Sequence, residues 1–209
     1  IFITASTGAG KSVMFQIPAI YLAKKHKKLT IIIEPVKALM QDQKEQLNAR
    51  GFHRVETFNS DLISQAEKEE VLKRVKSGET DLLYLSPETL LSYSMETLIG
   101  DREIGLIIVD EAHTAIGNES AKDLINALST DEDLKNVSDF NPEEYEDQVD
   151  ALLAYMQVMR RMMNHISYFA FTATPKDKTY AIYGIQSGPD KGKAHDLYSM
   201  KQAIDEKFI

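Results

Sequence analysis

The chain has 209 residues, of which 43% are hydrophobic and 27% are charged, a composition typical of one soluble globular domain. It contains no cysteine, which excludes disulfides and thiolate metal sites, and no apolar run approaches the roughly 20 residues that a membrane-spanning helix needs. The net charge of −8 argues at first sight against nucleic-acid binding, which depends on Lys and Arg.

The negative charge is concentrated in one segment. Between positions 131 and 150 there are nine acidic residues and one lysine, whereas the rest of the chain holds 23 acidic and 23 basic residues. This distribution leaves room for a nucleic-acid-binding surface elsewhere. Because the acidic stretch also holds Asn141-Pro142, we interpret residues 129–147 as an insertion within a single domain of residues 1–209. The sequence starts inside a predicted strand without an initiator Met, so we expect it to be part of a longer protein.

Short β-branched runs alternate with segments of helical periodicity, which is the pattern of βα units around a parallel sheet. Strands are predicted at residues 1–4, 29–34, 54–58, 81–85, 104–109 and 167–171. Helices are predicted at residues 11–25, 38–50, 62–76, 121–128, 148–164 and 176–184, and an exposed turn at residues 186–193. Since the strands are almost continuously apolar, helices should cover both faces of the sheet. The sequence therefore predicts an α/β fold with a mostly parallel central sheet.

The first predicted strand leads into a glycine-rich loop that opens the first helix, Ala5-Ser6-Thr7-Gly8-Ala9-Gly10-Lys11-Ser12. Glycines let backbone N–H groups close around phosphate oxygens, and the helix N-terminus adds the positive end of its dipole. In such a loop the lysine reaches the β- and γ-phosphates of ATP, and the hydroxyl after it binds Mg²⁺. We therefore predict that the nucleotide is bound by Ser6, Thr7, Gly8, Ala9, Gly10, Lys11 and Ser12, the last as a magnesium ligand.

The strand at residues 104–109 ends in two adjacent carboxylates, Asp110 and Glu111, with His113 close behind. Ligands of open α/β sheets bind at the carboxyl ends of the strands. We predict that Asp110 holds Mg²⁺, through water, and that Glu111 orients or deprotonates the attacking water. A strand that ends in Asp-Glu is weak evidence alone, and it gains its meaning from the loop upstream.

The last predicted strand ends in Thr172-Ala173-Thr174-Pro175. Thr172 and Thr174 are candidates for coupling, because their hydroxyls would interact with residues that sense the γ-phosphate, such as His113. Taken alone, the pattern is better explained by an ordinary turn at which Pro175 ends the strand.

These three segments resemble motifs I, II and III of superfamily 2 helicases, and they occur in the same order. Residues 34–43 resemble motif Ia of that superfamily, and residues 83–90 resemble motif Ib. The resemblance implies a three-layer RecA-like P-loop NTPase domain that uses ATP and Mg²⁺, with Lys11, Asp110, Glu111 and His113 in the catalytic set. It further implies contact with the DNA backbone through Pro35, Lys37, Ser86 and Pro87.

The resemblance differs between the two halves of the chain. Up to about residue 113 it is closest to RecQ-type DNA helicases. From about residue 115 it is closer to the motor subunit of type I restriction-modification enzymes, particularly at residues 168–176 and 197–204. The implied partners are DNA, a second RecA-like domain, and specificity or modification subunits, in the cytoplasm and not at a membrane. Since the second domain supplies an arginine finger that contributes ~10³–10⁵ in rate, we expect this chain alone to hydrolyse ATP poorly.

Two other classes of function stay open on the residues alone. One is a P-loop kinase-like phosphotransferase, against which the adjacent carboxylates and the Thr-Ala-Thr-Pro segment argue. The other is a non-catalytic nucleotide-binding module that serves as a switch or scaffold. Stimulation of ATP hydrolysis by DNA distinguishes a motor from both.

Overall fold

The computed structural model describes residues 2–5, 11–59, 62, 64–110, 167–172, 177, 180, 184–185 and 187–198. The strands are β1 (Phe2–Ala5), β2 (Leu29–Ile33), β3 (Val55–Phe58), β4 (Leu82–Leu85), β5 (Ile104–Val109), β6 (Ser167–Thr172) and β7 (Asp196–Tyr198). The helices are α1 (Lys11–His26), α2 (Lys37–Ala49), α3 (Gln65–Lys76), α4 (Pro87–Ser92) and α5 (Met95–Ile99). Among these helices, none combines the length and apolar character needed to span a bilayer.

The described strands form one sheet in the order β3-β4-β2-β5-β6-β1-β7, and each recorded pairing is parallel. Ile33 at the end of β2 lies opposite Val109 of β5 on one side and Leu85 of β4 on the other. Thr4 of β1 lies opposite Thr172 of β6. Because parallel strands point the same way, their carboxyl ends form one edge of the sheet.

The helices lie on the two faces of this sheet. The connections through α1 and α2 step along the sheet in one direction, and those through α3 and through α4–α5 step in the other. Right-handed crossovers therefore place α1 and α2 on one face and α3, α4 and α5 on the opposite face. This confirms the predicted α/β fold of three layers.

The core lies between the sheet and these helices. β2, β3 and β4 are buried along their whole length. One cluster joins both helices of the first face to the sheet and contains Phe15, Ala19, Met40, Leu47, Ile32, Ile108 and Phe171. Burial on both faces explains why these strands are almost continuously apolar in sequence.

The six predicted strands agree with the structure to within one residue at each end. The predicted helix at 62–76 begins later, at Gln65, because Ser64 caps it. α4, α5 and β7 were not predicted, whereas residues 187–193 form an exposed turn as expected. The predicted helices at 121–128 and 148–164, the acidic insertion and most of the predicted helix at 176–184 lie outside the described residues.

Candidate nucleotide and nucleic-acid site

Three neighbouring strands bring the predicted nucleotide site together at the carboxyl edge of the sheet. β6 lies between β5 and β1, with Ala170 opposite Val109 and Thr172 opposite Thr4. The strand that precedes the glycine-rich loop and the strand that precedes Asp110 are therefore separated only by β6. In open α/β sheets this edge is where ligands bind.

The glycine-rich loop connects β1 to α1. β1 ends at Ala5 and α1 begins at Lys11, so the predicted strand–loop–helix context is present, and residues 6–10 of the loop lie outside the described residues. Lys11 and Ser12 are partly buried in the first turn of α1. That turn contains no acidic residue, so none of its own side chains offsets the positive end of the helix dipole. The helix N-terminus is thus suited to an anion such as phosphate.

Asp110 follows β5 directly and is only 3% exposed. Its N–H donates a hydrogen bond of 2.9 Å to the carbonyl oxygen of Ile33, which fixes its backbone against the end of β2. The carboxylate of Asp110 and the hydroxyl of Ser12 are hard oxygen ligands of the kind that Mg²⁺ prefers. Glu111 and His113 lie outside the described residues.

Thr172 is the last residue of β6 and is fully buried. Its strand lies between the one that ends at Asp110 and the one that leads into the glycine-rich loop. This position suits the predicted coupling role, because a displacement of the end of β5 or of β1 would directly affect β6, which pairs with both strands. Thr174, its predicted companion, lies outside the described residues.

The turn between β2 and α2 is organised by a buried carboxylate. Glu34 is 0% exposed, and its Oε1 accepts a hydrogen bond of 2.8 Å from the N–H of Val36. α2 then begins at Lys37 without a side-chain cap at Val36 and without an acidic residue in its first turn. Pro35 and Lys37 are partly exposed, so the turn presents them at the carboxyl edge. The sequence interpretation did not assign a role to Glu34, although a carboxylate directly after a mostly apolar strand was a visible signal.

The residue that follows β4 has a structural role that the sequence analysis did not predict. Ser86 is 2% exposed and is the N-cap of α4, where its Oγ accepts a hydrogen bond of 3.2 Å from the N–H of Thr89 and lies 2.9 Å from Thr89 Oγ1. In this structure the hydroxyl therefore stabilises the start of α4, which begins at Pro87. The phosphate contact predicted for Ser86 would compete with this cap.

Behind the edge lies a buried group of three polar side chains, Gln16 of α1, Gln43 of α2 and Tyr84 of β4, which we call the glutamine–tyrosine triangle. Gln43 Oε1 accepts hydrogen bonds from Tyr84 Oη at 2.8 Å and from Gln16 Nε2 at 3.3 Å, and Gln16 Nε2 is 3.2 Å from Tyr84 Oη. Burial raises the pKa of Tyr84; the hydrogen bond from Gln16 acts against this shift, and the negative charges of Asp110 and Glu34 add to it. Sequence reasoning missed the triangle, although two glutamines on apolar helix faces were a signal.

Comparison with known proteins identifies related sequences. The family model for DEAD/DEAH box helicases matches residues 1–182. The ATP-dependent DNA helicase RecQ of Haemophilus influenzae is 36% identical over 111 residues, which cover 53% of this chain and 17% of that protein. The ATP-dependent DNA helicase Q5 of Rattus norvegicus is 40% identical over 119 residues, which cover 54% of this chain and 12% of that protein. The chain thus spans less than a fifth of the length of either relative.

Solved structures show the same fold at low sequence identity. The DUF1998 helicase MrfA is 20% identical with a TM-score of 0.59, and the match covers 95% of this chain and 27% of that one. The Hef helicase domain of Pyrococcus furiosus is 17% identical with a TM-score of 0.56, and the match covers 99% of this chain and 36% of that one. With the family model covering most of its length, the chain belongs to the DEAD/DEAH box helicase family, whose RecA-like motor domain it forms.

Proposed function

We propose that this chain is the nucleotide-binding half of a protein that couples ATP hydrolysis to movement along DNA or to its unwinding. One observation carries the proposal. The adjacency of β5, β6 and β1 brings Asp110, Thr172 and the start of the phosphate loop to neighbouring positions on one sheet edge. The helicase family to which the chain belongs uses ATP, and Asp110, Thr172 and Lys11 at this edge are of the residue types that we expect such use to require.

In this proposal the phosphate loop binds the nucleotide as Mg²⁺·ATP. Backbone groups of residues 6–10 surround the phosphates, Lys11 neutralises the β- and γ-phosphates, and Ser12 and Asp110 hold Mg²⁺, with Asp110 acting through water. Within the described residues, no group of three or more His, Asp or Glu side chains is arranged to bind a metal. The phosphates of the nucleotide would therefore supply several of the magnesium ligands, as is usual for this ion.

Hydrolysis would use the residues that follow Asp110. Glu111 is our candidate for orienting or deprotonating the attacking water, and His113 for linking the γ-phosphate to Thr172 and Thr174. A second RecA-like domain would contribute an arginine finger, which typically accelerates hydrolysis by ~10³–10⁵. We therefore expect this chain to bind ATP far better than it hydrolyses it.

We place the nucleic-acid contact at the turns that follow β2 and β4. Pro35 and Lys37 are partly exposed at the first turn, and the first turn of α2 contains no acidic residue of its own. The second turn holds Ser86 and Pro87, and there the capping role of the Ser86 hydroxyl leaves main-chain groups as the candidate contacts. DNA as the substrate is supported by the names of the relatives RecQ and Q5, which are DNA helicases.

The lineage of the protein, its partner subunits and its compartment are also proposals. The matches to RecQ and Q5 each cover about half of this chain, which favours a RecQ-type lineage for that half. The likeness of residues 115–209 to a type I restriction motor subunit, and with it any specificity or modification subunits, rests on the sequence segments at 168–176 and 197–204. We propose the cytoplasm as the compartment.

The substitution Lys11→Ala tests the nucleotide site. A lysine that bonds to phosphate contributes charge-assisted hydrogen bonds of about 1.5–3 kcal/mol, so we expect the affinity for Mg²⁺·ATP to fall by about 10-fold to 100-fold. Isothermal titration calorimetry measures the affinity, and thermal unfolding checks that the variant remains folded. Lys24→Ala, in the last turn of the same helix, is the matched control and should leave the affinity unchanged. An unaltered affinity in the Lys11 variant would refute the phosphate-loop assignment.

A further inference from the structure

The glutamine–tyrosine triangle lies in an apolar environment but is not arranged for greatest stability. Gln16, Gln43 and Tyr84 are 6%, 3% and 0% exposed, and Tyr84 belongs to the hydrophobic cluster. Gln43 Oε1 accepts two hydrogen bonds, whereas Gln43 Nε2 is buried without a hydrogen-bond partner among the described residues. An unpaired buried donor is unfavourable, and apolar side chains of similar size avoid that cost. The triangle therefore calls for an explanation other than stability.

Each member of the triangle lies on an element that contains a residue of the candidate site or leads directly to one. Gln16 lies one helical turn after Ser12 on α1. Gln43 lies on α2, which begins at Lys37, and Tyr84 lies on β4, two residues before Ser86. The triangle is thus a direct polar link between the helix of the phosphate loop and the two turns assigned to nucleic acid.

The triangle also has two discrete arrangements available to it. In the observed one, the Gln43 amide acts only as an acceptor towards Gln16 and Tyr84. A half-turn of that amide would present the unpaired Nε2 as a donor to Tyr84 Oη, and Gln16 would then have to change its contacts. Because hydrogen bonds depend steeply on distance and angle, a small displacement of α1 is enough to favour one arrangement over the other. Energetic coupling between sites requires an element with two such states.

We propose that the glutamine–tyrosine triangle is a positioning unit that transmits nucleotide occupancy from α1 to the turns at Lys37 and Ser86. ATP bound at the phosphate loop would shift α1, the triangle would rearrange, and the affinity of the two turns for a nucleic-acid backbone would change. By reciprocity, nucleic acid would change the affinity for ATP by the same factor. This inference rests on the proposed function, because it assigns a regulation to that same site.

The test measures the affinity of the chain for labelled single-stranded DNA by fluorescence anisotropy, with and without saturating Mg²⁺·ATP. In the unsubstituted protein we expect the two dissociation constants to differ by at least about 5-fold, the lower end of typical coupling. Tyr84→Phe and Gln43→Met remove hydrogen bonds while retaining volume, and in each we expect that ratio to fall below about 2-fold. Gln46→Met is the matched control, because Gln46 is exposed on the same helix and bonds to Asp42; its ratio should stay that of the unsubstituted protein.

The possible results separate this inference from the proposed function. A purely structural role would lower the thermal unfolding midpoint of the Tyr84 and Gln43 variants and leave the ratio of dissociation constants intact, which would overturn the inference. A ratio near 1 in the unsubstituted protein would overturn it too, while separate binding of ATP and of DNA would still support the proposed function. If neither ligand binds, both proposals fail. The inference is supported if the ratio of dissociation constants falls towards 1 in both variants and falls no further when the two substitutions are combined.

Discussion

Polar side chains end several strands of the sheet, and three of them are among the most buried residues of the molecule. Glu34, Asp110 and Thr172 are 0%, 3% and 0% exposed. Carboxylates are rarely buried to this extent unless a specific partner compensates them. Glu34 is explained by its hydrogen bond to the N–H of Val36, which shapes the turn into α2. Asp110 is the carboxylate that we propose to hold Mg²⁺, through water.

The buried Tyr84 predicts how the free energy of unfolding depends on pH. Burial raises its pKa above the ordinary value of 10.0, so above that pH the unfolded chain releases a proton that the folded chain retains. The stabilising contribution is complete below pH 10.0 and is lost as the pH rises. We expect this residue to lower the free energy of unfolding by up to about 1.4 kcal/mol for each pH unit above its ordinary pKa.

Urea unfolding at about pH 9 and about pH 11 measures this effect. Tyr84→Phe should make the free energy of unfolding fall less steeply between the two conditions. Tyr21→Phe is the comparison, because Tyr21 is 57% exposed and bonds to Lys25 on the surface of α1. Equal slopes in the two variants would show that Tyr84 ionises as readily in the folded chain as in the unfolded one.

Among the helices, two kinds of N-terminus can be distinguished. α3, α4 and α5 each begin at a serine cap, Ser64, Ser86 or Ser94, and each carries an acidic residue in its first turn. α1 and α2 carry none, and α2 also lacks a side-chain cap. Acidic residues and caps satisfy a helix N-terminus internally, whereas a bare terminus retains its attraction for anions. The two helices without an acidic residue in their first turn are those that we propose for the nucleotide phosphates and for the nucleic-acid backbone.

β3 is held to its neighbouring helices by one carboxylate. Glu56 Oε2 lies 2.8 Å from Lys44 Nζ of α2, and Glu56 Oε1 lies 2.8 Å from Arg74 Nε of α3. The Glu56 side chain is 10% exposed, so water screens these pairs little. We expect Glu56→Gln to lower the free energy of unfolding by about 1–3 kcal/mol.

Chemical denaturation measures that loss, and Glu70→Gln is its control. Glu70 also pairs with Arg74, at 3.2 Å, but its side chain is 56% exposed. Exposed pairs of this spacing contribute about 0.3–0.5 kcal/mol, so the control should change little. Similar losses in both variants would mean that burial does not strengthen the Glu56 pairs.

The sequence predicted an element well where its hydrophobic pattern was long or unbroken, and missed elements whose pattern was short. β5 was predicted to the residue because Ile104–Val109 is an unbroken apolar run that ends at a carboxylate. α4 and α5 were missed because helices of 6 and 5 residues show too little periodicity, although their serine caps were readable. The two glutamines of the glutamine–tyrosine triangle were visible on apolar helix faces, but their contact with each other and with Tyr84 could not be predicted, since it joins three elements that meet only once the sheet order is known.

The charge of the whole molecule leads to a prediction about nucleic-acid binding. We expect single-stranded DNA to bind weakly, through Lys37 and its neighbours, with about one to a few counterions released. Lys37→Ala should weaken binding and reduce the salt slope by about 1, because it removes one phosphate contact. The acidic segment at 129–147 repels a polyanion only within ~8 Å at physiological salt, so its deletion should leave binding intact or strengthen it.

Fluorescence anisotropy over a series of salt concentrations measures both quantities. Lys44→Ala is unsuitable as a control because Lys44 pairs with Glu56. Lys24→Ala is the control, because it also removes one positive charge but lies in the last turn of α1, away from the proposed nucleic-acid turns. Binding that survives Lys37→Ala but is lost on deletion of residues 129–147 would place the nucleic-acid surface elsewhere.

The position of β1 in the sheet has a consequence for the order of events during synthesis. β2 to β5 form a block of neighbours, β3-β4-β2-β5, which can assemble once the chain has reached Val109. β1 has no place in that block, because its recorded partners are β6 and β7, with Thr4 opposite Thr172 and Leu197. The first described strand therefore pairs only after the last two have been synthesised, a slow long-range closure. We therefore expect a nascent chain to gain the proposed ATP-binding competence only after β6 and β7 have paired with β1.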